Sequence, residues 1–252
     1  NFPCYNDGVD TATYDASTGL YLYYQYTTGV NNYIRIYTPT LPSEVGISQR
    51  HRGKTGTGYT YKPALSSLDY VMYITDYYIR IEGIEIDAST INKADASFYI
   101  IMWARGSATD ISQGEMRLDS LLVHGGTISG TVNSSFQAIV LQLGNSLVTN
   151  CMMYDFTVTN TGTSGVLGLL ENQDRTNHYW YNNTIYDIQG VNLYARGMQQ
   201  GRGTVYVKNN YVGKMTSASS ACYVNTFATG STNNASSDAT APGTNPKTGL
   251  TN

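Results

Sequence analysis

Five stretches of the chain repeat one arrangement of apolar and polar positions. They are Tyr78–Asp87 (YIRIEGIEID), Met116–His124, Ser146–Asp155, Tyr179–Asp187 and Val205–Lys214. Each alternates apolar and polar residues, meets a small or turn-forming residue, and then turns apolar again. Aligned on that residue, the column reads Gly83, Ser120, Asn150, Asn183 and Asn209, with steps of 37, 30, 33 and 26 residues. Two positions earlier stand Ile81, Leu118, Val148, Tyr181 and Val207; three positions later stand Ile86, Val123, Met153, Tyr186 and Val212. Alternation with period two is the mark of a strand. Tyr33–Tyr37 reads as an earlier copy. Second apolar runs lie between the copies: Leu68–Thr75, Phe98–Ala104, Phe136–Leu143, Val166–Leu170 and Ala221–Phe227.

Units of roughly thirty residues, with at least two short strands and no helix, predict a solenoid. The expected fold is all-β, a single-stranded parallel β-helix of roughly six to eight coils stacked about 4.8 Å apart. A propeller blade needs four strands at a regular period, and a sandwich gives no reason for matched columns. Stacked coils would place Asn150, Asn183 and Asn209 in one amide ladder. Residues 1–29 are expected to cap the first coil, 30–228 to form the β-helix, and 229–252 to be a polar low-complexity tail or cap. The chain opens on Asn1, which reads as a processed product or a fragment.

The segments IRIEGIEID, HYWYNNTIYDI and TVYVKNNYVG, together with the loop RHRGKTGTG and the tail NNASSDATAPGTN, resemble the pectate-lyase-like superfamily of right-handed parallel β-helix proteins. The nearest likeness is to uncharacterised members from environmental bacteria and phages. It covers most of residues 30–245. The resemblance implies right-handed winding, which also follows from the general hand of parallel connections. It implies little about activity, because the fold hosts lyases, hydrolases, adhesins and virus appendages.

Composition narrows the function. Only 13% of residues are charged, about half the usual share, while tyrosine alone accounts for 23. A net charge of −3 argues against a nucleic-acid partner, and no apolar run approaches the roughly 20 residues of a membrane span. Abundant Tyr, Asn, Thr and Gly point to an extracellular setting, on a virion or cell surface. Three cysteines, Cys4, Cys151 and Cys222, allow one disulfide and require none; Cys151 falls on a core column.

Candidate chemistry is sparse. Ser48–Gly58 (SQRHRGKTGTG) carries the Gly-Lys-Thr of a phosphate loop, but Ser48 stands where its first glycine belongs and no helix can follow so many glycines. The motifs of polygalacturonase-like hydrolases are missing, as is any carboxylate-rich calcium loop. His51, His124 and His178 have no partner at metal spacing, and His124 reads as a turn residue. The best catalytic constellation is Glu82 and Asp119 on neighbouring rungs, read as a ladder neutralised by Arg80 and Arg117. Continuing the Arg80/Arg117 column gives Leu147, Trp180 and Tyr206, an aromatic and basic surface on which a sugar ring could stack. A second stripe, Leu122, Met152, Ile185 and Tyr211, calls for a covering subunit if it faces outward.

The sequence therefore reads as a non-enzymatic structural or binding β-helix: a virion appendage or capsid-decoration protein, with a bacterial surface or filament-forming adhesin as the alternative. A polysaccharide lyase or glycosidase is the competing class. Expected partners are carbohydrate, a second copy stacked end to end, or a capsid or surface protein. No cofactor or metal is expected.

Overall fold

The computed structural model describes residues 1–23, 26–104, 114–162, 165–172, 176–191 and 193–251. The chain winds as a right-handed parallel β-helix of about seven coils. Each coil contributes a strand to three parallel sheets in turn. The first sheet runs from Phe2–Pro3 through Ile34–Tyr37, Tyr78–Glu82, Glu115–Asp119, Asn145–Thr149 and Asn177–Tyr181 to Thr204–Lys208. The second includes Thr60–Tyr61, Glu85–Asp87, Leu122–His124, Met152–Val158, Thr184–Gly190 and Tyr211–Thr216. The third includes Thr18–Leu22, Tyr70–Ile74, Phe98–Trp103, Ser135–Leu141, Gly165–Glu171, Tyr194–Gln199 and Ser219–Val224. So each repeat recognised by its turn holds two strands, and the run after it supplies the third. The one described α-helix is the four-residue Pro42–Val45.

Between the first and second sheets the chain turns on one residue per coil. Gly83, Ser120, Asn150, Asn182, Asn209, Asn233 and Asn245 occupy this column, all with φ between 53° and 73°. Glycine and asparagine tolerate that left-handed conformation best, which is why they recur here. The amide of each of the first six bonds the carbonyl that precedes the next turn residue, from Gly83 N to Asp119 O at 2.9 Å to Asn233 N to Thr244 O at 2.8 Å. The fourth member is Asn182, not Asn183 as the alignment predicted. The steps around it are 32 and 27 residues, and every strand residue before the turn in that coil shifts by one column.

Asn183 consequently points inward, and a second ladder begins there. The amide of Cys151 bonds Asn183 Oδ1 at 3.0 Å, the amide of Asn183 bonds Asn210 Oδ1 at 2.9 Å, and the amide of Asn210 bonds Asn234 Oδ1 at 3.2 Å. All three asparagines are buried. In earlier coils Ile84, Leu121 and Cys151 fill this column. Apart from a buried polar group around His178, the rest of the described core is largely apolar. Ile81, Leu118, Val148, Trp180 and Val207 stack in one file, and Ile86, Val123, Met153, Ile185 and Val212 in another. Phe98, Phe136 and Phe156 meet ring to ring at 5.0 and 5.1 Å.

Residues 1–23 supply one strand to each sheet at the first coil. At the far end Thr232 bridges Lys208 and Thr244, Ala235–Ser236 pairs with Tyr211–Val212, and Ala235 bridges Lys247. Cys4, Cys151 and Cys222 are free thiols. Burial pushes the Cys151 thiol up to about 12, so it is core filling rather than a nucleophile.

Candidate functional site

On the outer face of the first sheet one column reads Arg35, Arg80, Arg117, Leu147, Tyr179, Tyr206. Its neighbour reads Tyr37, Glu82, Asp119, Thr149, Tyr181, Lys208. Glu82 and Asp119 do sit on adjacent rungs, but their cations are not those expected. Three stacked guanidinium groups repel one another, and each turns to a different partner. Arg35 forks onto Glu82, with Nε and Nη2 at 3.1 and 2.6 Å from Oε2. Arg80 lies over the Tyr33 ring, 3.5 Å from its centre, and Arg117 pairs with Glu115. Asp119 accepts hydrogen bonds from Thr149, Asn150 and Ser120 at 2.7, 2.8 and 3.0 Å, with Arg50 at 3.8 Å. Both carboxylates thus have their oxygens engaged by the protein, which suits a structural ladder better than an acid–base pair.

Trp180 is not on this surface. The one-residue shift at Asn182 turns it inward, where it is fully buried and donates to Ser146 Oγ at 3.3 Å. Tyr179 takes its place outside. Its ring stacks on Tyr206 at 5.2 Å and 11°, with Tyr181 edge-on at 6.1 Å and Lys208 Nζ 5.5 Å from the Tyr181 ring.

A larger aromatic face lies on the third sheet. Tyr70 stacks on Tyr99 at 5.3 Å and meets Tyr73 at 4.8 Å; Tyr73 meets Tyr21 at 5.5 Å; Tyr21 meets Tyr14 and Tyr23 at 5.0 and 5.4 Å. Tyr14 and Tyr23 are exposed, and the other four are partly so. Burial first, and then neighbouring phenols, raise the hydroxyls of Tyr21 and Tyr70, so these rings stay neutral donors at physiological pH. Sequence reading assigned residues 1–29 to a cap over the first coil and gave their tyrosines no role. Their partners lie some fifty residues on, and only the rung register joins them.

Inside the coil, Ser146 Oγ is 2.8 Å from His178 Nδ1, Thr176 Oγ1 is 2.7 Å from Nε2, and Glu171 is 3.9 Å away. Glu171 also accepts from the amides of Gly201, Arg202 and Gly203 at 3.1, 3.1 and 2.9 Å. The order hydroxyl, imidazole, carboxylate resembles a nucleophile relay, but all four side chains are buried and no substrate can reach them. Burial holds His178 neutral, its pKa driven down to about 3.

On the second sheet Glu85, Asp87 and His124 come together, their ligand atoms within 4.8 Å of one another. His124 is the last residue of a strand rather than a turn residue; its Nε2 is 2.9 Å from Glu85 and its Nδ1 3.9 Å from Asp87. A cation fits poorly between them. Lys62 already places its ammonium 2.8 Å from Asp87, and Glu85 accepts from Gly56 N at 2.8 Å and Thr60 Oγ1 at 3.2 Å as well as meeting His124. The cluster instead clasps the loop at 48–58 to the sheet. His51 Nε2 adds a bond to Ser120 O at 2.7 Å. Leu122 faces outward yet is fully buried where this loop crosses, so its cover is the chain itself and not a partner subunit. Ile185, read as part of that stripe, is in the core. Column arithmetic could have found Asp87 and His124, each four residues past its turn residue.

No protein-family profile, curated protein or solved structure matches the chain. The class rests on its own geometry: a right-handed parallel β-helix whose outer faces carry tyrosine ladders.

Proposed function

We propose that the protein is a non-enzymatic extracellular β-helix that holds glycans against its flat outer faces, and that it serves as a virion appendage or capsid-decoration protein within the pectate-lyase-like superfamily. The observation that carries the glycan reading is the contact cluster of six tyrosines on the third sheet. Sugar rings present C–H faces that stack on aromatic rings and hydroxyls that meet phenolic ones, and tyrosine supplies both. The rung spacing of about 4.8 Å repeats that offer along the coil axis. The Tyr179–Tyr206 stack gives the first sheet a smaller face of the same kind. The virion setting is supported by composition alone: little charge, and polarity supplied by Tyr, Asn, Thr and Gly.

The test is a binding screen of the whole chain against neutral and acidic oligosaccharides. Wild type binds at least one class. Tyr70→Ala with Tyr99→Ala weakens that binding by about tenfold or more, equivalent to about 1.4 kcal/mol. Tyr179→Ala with Tyr206→Ala reports separately on the first sheet. Absence of binding across the screen, or binding indifferent to both pairs, refutes the reading.

A further inference from the structure

The loop that resembles a phosphate loop has a use its fold role does not exhaust. The chain holds 15 Lys and Arg and 3 His against 18 acids. Four of those basic groups, Arg50, His51, Arg52 and Lys54, fall within five consecutive positions. Two are consumed in holding the loop. His51 bonds Ser120 O, and burial lowers its pKa, so it is neutral there. Arg50 lies 3.8 Å from Asp119. The other two, Arg52 and Lys54, are exposed and their side chains meet no acceptor among the described residues. The amides of Lys54 and Thr55 are likewise without a protein acceptor, whereas those of Arg52, Gly53 and Gly56 are bonded to Thr57, His51 and Glu85.

Gly53, set between the two free cations, forms one wall of a cleft of about 230 Å³. The opposite wall is Met152, Tyr154, Thr184 and Tyr186 of the second sheet. The cleft therefore offers a thioether and two phenol rings, Tyr154 stacked on His124 at 5.2 Å and Tyr186 with Lys214 Nζ 5.6 Å from its centre, while the residues on either side of Gly53 carry the free cations and amides that suit an oxyanion. The acids nearby are mostly spoken for. Glu85 meets His124, Asp87 meets Lys62, and Asp187 meets Lys214 at 2.6 Å. Asp155, exposed beside Tyr154, makes no ion pair among the described residues but lies in the field of Lys214. A nucleotide triphosphate is a poor match, because the loop runs on into the extended pair Thr60–Tyr61 and no helix N-terminus faces the anion.

We propose that this cleft binds a sugar ring bearing a sulfate or phosphate ester, with Arg52, Lys54 and the adjoining free amides on the oxyanion and Tyr154 and Tyr186 on the ring. The site borrows from the glycan reading only the nature of the ring and is separate from both tyrosine faces.

The experiment titrates the full chain with galactose 6-sulfate, galactose 6-phosphate and galactose by calorimetry. At least one ester binds at least about tenfold more tightly than galactose; which of the two does so identifies the source of the anion. Arg52→Gln with Lys54→Gln removes the preference and leaves oligosaccharide binding at the tyrosine faces unchanged. Met152→Trp, which fills the cleft, removes ester binding with both cations in place. Equal binding of galactose and the esters, or ester binding that survives the double substitution, overturns the proposal while leaving the tyrosine-face reading intact. Loss of every glycan interaction in wild type refutes both.

Discussion

Replacing Asn210 by alanine tests the inner ladder most sharply. Asn210 Oδ1 accepts the backbone amide of Asn183 at 2.9 Å and its side-chain amide at 3.1 Å. Its Nδ2 donates to Trp180 O at 2.8 Å and to Asn234 Oδ1 at 3.0 Å. After Asn210→Ala, Asn183 Nδ2 keeps Val148 O, and Asn234 Oδ1 keeps the Asn210 amide. Two buried groups lose these ladder partners: the Asn183 amide and the Trp180 carbonyl. Each such loss costs about 1–3 kcal/mol, so the variant should be about 2–6 kcal/mol less stable, a large share of the 5–15 kcal/mol typical of a folded domain. The control is its neighbour. Asn209 lies in the outer column at φ 55°, where its side chain bonds Asn182 at 3.1 Å in solvent. Asn209→Gly keeps the left-handed turn without strain and should change stability by less than about 1 kcal/mol. Urea unfolding followed by circular dichroism reads both. Equal losses for the two variants, or a larger loss for Asn209→Gly, would refute the assignment of inner and outer columns.

Two further predictions concern buried and exposed charge. His178 is held neutral in the fold with a pKa near 3, below its ordinary 6.5, so its contribution is complete above pH 6.5 and drains away as pH falls toward 3. Between pH 7 and pH 4 wild type should lose about 3 kcal/mol more than His178→Met in urea unfolding; methionine suits the column, which holds Met116 and Val205 on other rungs. Glu82→Gln removes the Arg35 ion pair, whose arginine is about one-third exposed and also rests on the Tyr37 ring at 4.0 Å. Its cost should stay within about 1 kcal/mol by thermal melting, a larger loss showing the ladder to be more than a surface feature.

The coil was legible because one residue per turn must adopt a left-handed conformation, and Gly83, Ser120, Asn150 and Asn209 announce it. The fourth coil was misread because Asn182 and Asn183 are adjacent and equally suited to the turn. Sequence cannot tell an asparagine chosen for its backbone from one chosen for its buried amide. That slip of one residue carried Trp180 from core to surface, since side chains alternate faces. The ion pairs were hidden for another reason. Arg35 reaches Glu82 and His124 reaches Glu85 across coils, 47 and 39 residues apart, and such pairs are set by long side chains choosing among several neighbours. The third-sheet tyrosines needed the register of Tyr21 on Tyr73 and of Tyr70 on Tyr99, which depends on loops of variable length.

The central claim, that this β-helix binds and does not cleave, is tested most directly by product analysis. The whole chain is incubated with neutral and acidic glycans and the mixture is assayed for new reducing ends and unsaturated sugars. The account predicts none, with the glycans recovered intact. Reproducible cleavage that Glu82→Gln or Asp119→Asn abolishes would contradict it and make those two carboxylates an active site.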